Sequence, residues 1–333
     1  NLRYGAGGKS RNYDIPIVGD VEFSGDELPI DPYLIGVLLG DGYLDGNISI
    51  STADDELVIY VKEALPEGVK LIHSDNYDWK IKTGPTGNRR HPFRQSLFDL
   101  GMIGTRSNNK RIPQIYLFAR PKDRLEILRG LMDTDGYISK DGCCQFYSVS
   151  KQLADDVVHI VRSLGGVPTC SLKQTSCNGK KGQPCYVVTF SLARHNPFRL
   201  TRKAERWNSN PRDNGRWIDR IEFEGRQRTI CISVYSPDSS YVTENFIVTH
   251  NTFMQLVWAE NVCRQTNGRV LILTPLAVAF QTMREGEKIG AEVTHRREGI
   301  KPGDRIVVTN YERLHYFQPE DFQGVVCDES SIL

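Results

Sequence analysis

No stretch of the 333 residues approaches the roughly 18 consecutive uncharged apolar residues that a membrane span needs. The opening Asn1-Leu2-Arg3-Tyr4 has neither an initiator methionine nor the basic-then-apolar pattern of a secretory signal. The chain therefore reads as a fragment of a cytoplasmic protein, from a prokaryote or a phage-infected host, with no membrane partner. An excess of charge is lacking too. Lys+Arg number 42 against 41 Asp+Glu, a net of +1, so the whole chain carries no electrostatic footprint of a nucleic-acid binder. The eight cysteines lack zinc-site spacing, since Cys143-Cys144 are adjacent and Cys170, Cys177 and Cys185 follow irregularly. The chain is also too long for a disulfide-stapled scaffold, so reduced thiols are expected. Gly5-Ala6-Gly7-Gly8-Lys9-Ser10 fails as a phosphate loop, because Arg3 stands where its first glycine is required and an extended Tyr13-Asp14-Ile15-Pro16 follows.

What is present is an ordinary globular composition, 39% apolar and 25% charged with a mean hydropathy of −0.41, long enough for about two domains. Charge is unevenly spread. Residues before Thr252 carry a net +3 and those from it onward a net −2. Within Arg194–Arg228, the basic residues Arg199, Arg202, Lys203, Arg206, Arg212, Arg216 and Arg220 interleave with Phe198, Trp207 and Trp217. That stripe suits phosphate contacts, and equally an ordinary solvated face.

An internal repeat dominates the first two thirds. Leu34-Ile35-Gly36-Val37-Leu38-Leu39-Gly40-Asp41-Gly42-Tyr43-Leu44 returns 94 residues later as Leu128-Arg129-Gly130-Leu131-Met132-Asp133-Thr134-Asp135-Gly136-Tyr137-Ile138. Each copy reads as an apolar helix, with Asp31-Pro32 or Pro121-Lys122-Asp123 at its start and a glycine just past its end. Alternating stretches follow, Ile48–Ser51 and Cys144–Val149, readable as strands. Gly36 and Gly130 would let the helices touch backbone to backbone, bringing Asp41 and Asp135 side by side at two helix C-termini. Paired carboxylates there can hold divalent metal, which activates water for phosphodiester hydrolysis.

These residues resemble the LAGLIDADG homing endonucleases over roughly 30–170. The resemblance implies that Asp41 and Asp135 are metal-binding catalytic acids served by Mg2+, that Lys110 in Asn109-Lys110-Arg111-Ile112-Pro113 is the basic residue between the repeats, and that two saddle-shaped sheets read double-stranded DNA, with the nuclease part a monomer. The first copy departs at Leu39, where the second has Asp133.

A second signal is Asn245-Phe246-Ile247-Val248-Thr249-His250-Asn251-Thr252, similar to the C-terminal splice junction of an intein. The Asn251 side-chain amide can attack its own carbonyl, His250 can assist by proton transfer, and the Thr252 hydroxyl can accept the upstream segment as an ester. Upstream, Thr229–Val234 resembles an intein motif in which Cys231 replaces the usual Asp, and Ser239 or Ser240 stands where a His is expected. Cys231 together with Thr252 is similar to class 3 inteins, where an internal thiolate opens the upstream junction; a buried structural cysteine is the plain alternative.

From Thr252 the pattern changes. Arg269–Pro275 and Arg305–Tyr311 read as buried parallel strands, and Gly324-Val325-Val326-Cys327-Asp328-Glu329 as a strand ending in acids. The three in order resemble a superfamily-2 helicase core of the DEAD/DEAH-like, phage type. That likeness implies that Asp328 (the Walker B acid) holds magnesium, that Glu329 orients the attacking water, and that Thr252 completes a Gly-Lys-Thr phosphate loop for ATP once the insert is excised.

The expected architecture is an α+β LAGLIDADG unit of pseudo-symmetric αββαββα repeats (residues 30–171) within a β-rich splicing fold (1–29 and 172–251, the latter including a DNA-contact region), followed by the start of an α/β RecA-like domain (252–333). Two other readings fit the same residues: a decayed intein that binds DNA without cutting, and a helicase with an inert structural insertion.

Overall fold

The computed structural model describes residues 14–23, 25–84, 91–177, 180–209, 216–217 and 240–328. The chain divides into two units, one built from 1–219 with 245–247, the other from 220–244 with 248–333.

In the first unit the short strand β1 (Asp14–Ile15) precedes α1 (Pro32–Gly40), which begins where Asp31 accepts a hydrogen bond from the Leu34 amide and Pro32 supplies a preset φ at the first position. Then come β2 (Gly42–Tyr43), β3 (Ser49–Ser51), α2 (Asp55–Ala64, capped by Asp54), β4 (Val69–Asp75), β5 (Asp78–Thr83) and α3 (Pro92–Asp99). After the one-turn α4 (Gln114–Leu117) the order repeats: α5 (Pro121–Thr134), β6 (Gly136–Ile138), β7 (Cys144–Ser148), α6 (Lys151–Ser163, capped by Ser150), β8 (Thr169–Cys177), β9 (Lys180–Phe190) and the short α7 (Thr201–Ala204). Both halves are αββαββα. Their antiparallel sheets have matching orders, β2-β3-β5-β4 and β6-β7-β9-β8.

The helices α1 and α5 form the spine between the sheets. A Cβ on Gly36 would lie 2.3 Å from the Ile127 carbonyl, and one on Gly130 2.3 Å from the Tyr33 carbonyl, so only glycine permits this approach. Tyr33, Leu34, Val37, Leu38, Ile127, Leu128, Leu131 and Met132 are fully buried around that contact and join one core with the inner faces of both sheets. Gly42 and Gly136, just past the helix ends, are needed for close approach as well: a Cβ there would strike the Leu38 and Met132 carbonyls at 2.3 and 2.4 Å.

The boundary expected at residue 171 falls inside β8. The second sheet needs β8 and β9 to complete four strands, and the β9 edge runs to Phe190. The segment before residue 30 is likewise tied into this unit. Val21 donates its amide to Ser163, and the fully buried Arg124 donates to the carbonyls of Val21 and Ala119 and to the Ser163 hydroxyl. The two flanks of the unit meet: β1 pairs with β10 (Arg216–Trp217), and Arg216 in turn donates to the carbonyls of Asn245 and Phe246.

In the second unit β11 (Ser240–Val242) pairs antiparallel with β12 (Val248–His250), and the helix α8 (Asn251–Thr266) begins at the next residue. There follow β13 (Val270–Thr274), α9 (Leu276–Lys288), β14 (Val293–His295), β15 (Ile306–Asn310) and β16 (Gly324–Cys327). The four strands form a wholly parallel sheet in the order β14-β15-β13-β16. Every residue of β13 and β15 is buried, as the continuous Val/Ile/Leu runs require of a sheet covered on both faces. Among the described residues no helix is long and apolar enough to cross a membrane.

Candidate active site

The spine helices end together, and Asp41 and Asp135, the residues at which α1 and α5 terminate, lie close enough for the charge of Asp41 to act on Asp135. No hydrogen bond to either carboxylate is made among the described residues. Asp135 is half-buried, and burial followed by the charge of Asp41 pushes its pKa up to about 6. Asp41 is more open. Its pKa is also raised by partial burial, against the pull of Lys110 and Lys203. Two carboxylates that desolvation and mutual repulsion make reluctant to ionise favour a cation between them.

Lys110 reaches the same place, but not as a free ammonium. Its Nζ donates to the carbonyls of Leu38, Gly40 and Gly42 at 3.3, 2.8 and 2.8 Å, closing the C-terminal end of α1. Burial lowers its pKa. Its counterpart is Lys203, whose Nζ donates to Met132, Asp133 and Gly136 at 2.7, 2.8 and 2.7 Å at the end of α5. Burial brings the Lys203 pKa down to about 8. The helix-end carbonyls are thus satisfied by lysines, which leaves the carboxylates as the candidate metal donors. Sequence reasoning placed Lys203 only in a basic stripe. The signal for its role was the repeat itself, since Lys203 lies 93 residues after Lys110.

A cleft of about 300 Å³ adjoins the site, lined by Lys110, Asp135, Ser107, Tyr147, Gln183 and Cys185. Among the described residues no three His, Cys, Asp or Glu cluster as a self-sufficient metal site. Two carboxylates suit an ion that completes its oxygen shell with water and phosphate.

The open face of the first sheet is basic. Tyr43, Ser49, Lys80 and Ile72 lie in one cross-strand row and Lys82 and Lys70 in the next, with Tyr43 and Ile72 56% and 42% exposed. On the second sheet the corresponding row is Tyr137, Gln145, Thr189 and Thr169, polar and uncharged.

Within the basic stripe the side chains differ, and Arg206 is exposed. Arg199 pairs with Glu126 and lies 4.1 Å over the Tyr33 ring, Arg202 pairs with Asp54, Lys203 caps α5, and Phe198 is buried in the core. Arg199 and Arg202 are thus engaged in ion pairs within the fold. Arg212 and Arg220 lie outside the described residues, as do Cys231, Ser239 and Glu329.

At the strand-to-helix join, His250 ends β12 and Asn251 and Thr252 open α8; the side chains of all three lie outside the description. Phe246, 6% exposed, packs against His159 with ring centroids 5.0 Å apart, and Arg162 donates to the Asn245 side chain. In the second unit Asp328 follows β16 and is 3% exposed; its carboxylate accepts from Gln255 Nε2 at 2.7 Å, and Gln255 lies on the same helix as Thr252. The Tyr311 hydroxyl donates to the Asp328 carbonyl.

Comparison with known proteins agrees with this geometry in part. Residues 122–196 match the family model of the LAGLIDADG-like domain. The chain is 28% identical over 236 residues, 69% of its length, to a replicative DNA helicase DnaB of Mycobacterium intracellulare, and covers 36% of that protein. It is 27% identical over 191 residues, 48% of its length, to the homothallic switching endonuclease of Saccharomyces cerevisiae, of which it covers 32%. The chain spans about a third of the length of these relatives.

Proposed function

We propose that the chain carries a metal-dependent, double-strand-specific DNA endonuclease of the homing type, set in a self-splicing intein that interrupts an ATP-dependent helicase. The observation that carries the nuclease reading is the pairing of Asp41 and Asp135 at two touching helix ends, each end closed by a buried lysine. The two carboxylates would hold Mg2+, which would supply activation of water and stabilisation of the leaving oxygen. Lys110 and Lys203 add positive charge beside the reacting phosphate, and the lysines of the first sheet hold the backbone of the duplex. The nuclease-like domain match and the similarity to a switching endonuclease support this chemistry.

The intein reading rests on the sequence at His250-Asn251-Thr252. It is supported by the meeting of both flanks of the nuclease unit, through β1, β10 and Asn245–Phe246, as an insertion into another fold requires. The helicase reading is supported by the parallel sheet ending in Asp328 and by the helicase relative. In it Thr252, Asp328 and Glu329 hold ATP and magnesium after splicing, in the manner of superfamily 2.

Selection of cleaved sites from a randomised duplex library with magnesium tests the nuclease. Asp41→Asn and Asp135→Asn should each abolish cutting while leaving DNA binding. Normal cutting by both variants would remove the metal assignment, and binding without cutting by the parent protein would favour the decayed form.

A further inference from the structure

Lys110 and Lys203 are alike at their tips and differ in what holds their backbones. Lys110 is anchored to α6: the Ser150 hydroxyl donates to its carbonyl at 2.7 Å, and Asp156 accepts the Ile112 amide at 2.8 Å. The segment leading to Lys203 is held by carboxylates from two helices. Asp133 on α5 accepts the amides of Arg199 and Leu200 at 3.1 and 3.2 Å, and also the Tyr33 hydroxyl at 2.8 Å. Glu56 on α2 accepts the Thr201 amide at 3.0 Å and its hydroxyl at 2.7 Å, and Asp54 accepts from Arg202 at 2.9 Å.

Asp133 is only 3% exposed, and a buried carboxylate is costly unless its acceptor capacity is used. Here it is used, on the two residues that lead into α7 and Lys203. The equivalent position in the first repeat is Leu39, 1% exposed and apolar, so the Lys110 half has no lock from its own spine helix and is held instead by Asp156 of α6. The two halves are therefore alike in chemistry and unlike in support.

We infer that Asp133 and Glu56 are positioning residues for Lys203, so that cutting of one DNA strand depends on carboxylates that do not hold the other half of the site. The inference rests on the nuclease reading. It extends it by making the two strand cleavages separable through residues that touch neither DNA nor metal.

The test uses the whole chain with Asp133→Leu, which copies Leu39, and Glu56→Ala, which lies on another helix from Asp135. Lys203→Met serves as the reference. Each strand of a selected target duplex carries its own end label, and cleavage is followed with magnesium. One strand, the same one that Lys203→Met spares least, should slow by about a hundredfold in Asp133→Leu, the scale expected of a misplaced catalytic group, and measurably in Glu56→Ala. The other strand should keep its parent rate, nicked product should accumulate, and DNA affinity should hold. In parallel, acylation by an N-hydroxysuccinimide ester, mapped by peptide mass spectrometry, should rise at Lys203 in both variants and stay unchanged at Lys110. Equal slowing of both strands, parent rates on both, or unchanged Lys203 protection would overturn the inference. If the parent protein cuts no duplex, the nuclease reading fails, and the acylation result alone decides whether the lock exists.

Discussion

A Cβ on Gly36 would stand 2.9 Å from the Cα of Gly130, closer than real side chains come, so the two helices can meet here only because both residues are glycine. Everything at the site depends on that contact. It sets how far apart the ends of α1 and α5 lie, and so where Asp41, Asp135, Lys110 and Lys203 meet. Gly36→Ala should force the helices apart and destabilise the first unit by about 3 kcal/mol, the upper range for overpacking a core. Gly84→Ala, where nothing lies within 4 Å, should change stability by less than about 0.5 kcal/mol. Urea denaturation of the two variants checks this. Equal midpoints would mean that the interface is looser than its backbone contacts imply.

Asp135 gives the metal-free protein a pH dependence. Its folded pKa is about 6, against about 3.9 for an unfolded aspartate. Between these values the folded state binds more protons than the unfolded chain, so the associated stability is fully present below the unfolded pKa and is lost as pH rises through about 6. The loss should be about 2 kcal/mol at most, since the side chain is half-buried. Thermal melts in EDTA should therefore show the parent losing stability from acid to neutral pH relative to Asp135→Asn, and magnesium at neutral pH should restore it. Parallel profiles for the two proteins would exclude the effect.

The second unit predicts a switch in ATP hydrolysis. Asp328 is held by Gln255 beside the start of α8, and on the proposed reading the phosphate loop is complete only when Thr252 is joined to the residues that precede the insert. The spliced helicase should hydrolyse ATP, its Asp328→Asn variant should lose the activity by orders of magnitude, and an unspliced precursor with Asn251→Ala should have none. Equal ATPase rates before and after splicing would mean that the insert does not divide the loop.

Much of this was legible because local rules and the global fold agree. The repeat announced two equivalent helices, and the glycines announced their contact, because glycine at 36 and 130 has no purpose in an exposed helix. The buried strands of the second unit were plain from uninterrupted Val/Ile/Leu runs. What the residues concealed was long-range. Lys203 looked like one of many surface cations, and only the tertiary meeting of its segment with Asp133 and Glu56 shows it buried against helix-end carbonyls. The partners of Arg199 were concealed for the same reason, since Glu126 and the Tyr33 ring lie 73 and 166 residues away along the chain. The extent of the second sheet was missed because β8 is a polar, exposed strand whose alternation is weak.

Splicing order offers the last prediction. It rests on Cys231 standing where an aspartate is usual and on Thr252 following Asn251. In a class 3 route a thiolate at Cys231 attacks the carbonyl at the upstream junction, forming a thioester with the upstream segment and releasing the amino group of the intein's first residue. The acyl group then passes to the Thr252 hydroxyl as an ester, and the thiol is regenerated. Asn251 cyclises with help from His250, freeing the insert, and the ester rearranges to a peptide bond. In a precursor carrying the upstream junction, Cys231→Ala should abolish upstream cleavage. Asn251→Ala should instead stall as a branched ester that hydroxylamine releases. In the ordinary route the first residue of the intein opens the junction and Cys231 is dispensable. Mass spectrometry of the Cys231→Ala precursor in hydroxylamine separates the two. Release of the upstream segment at the parent rate would leave Cys231 as a packing residue.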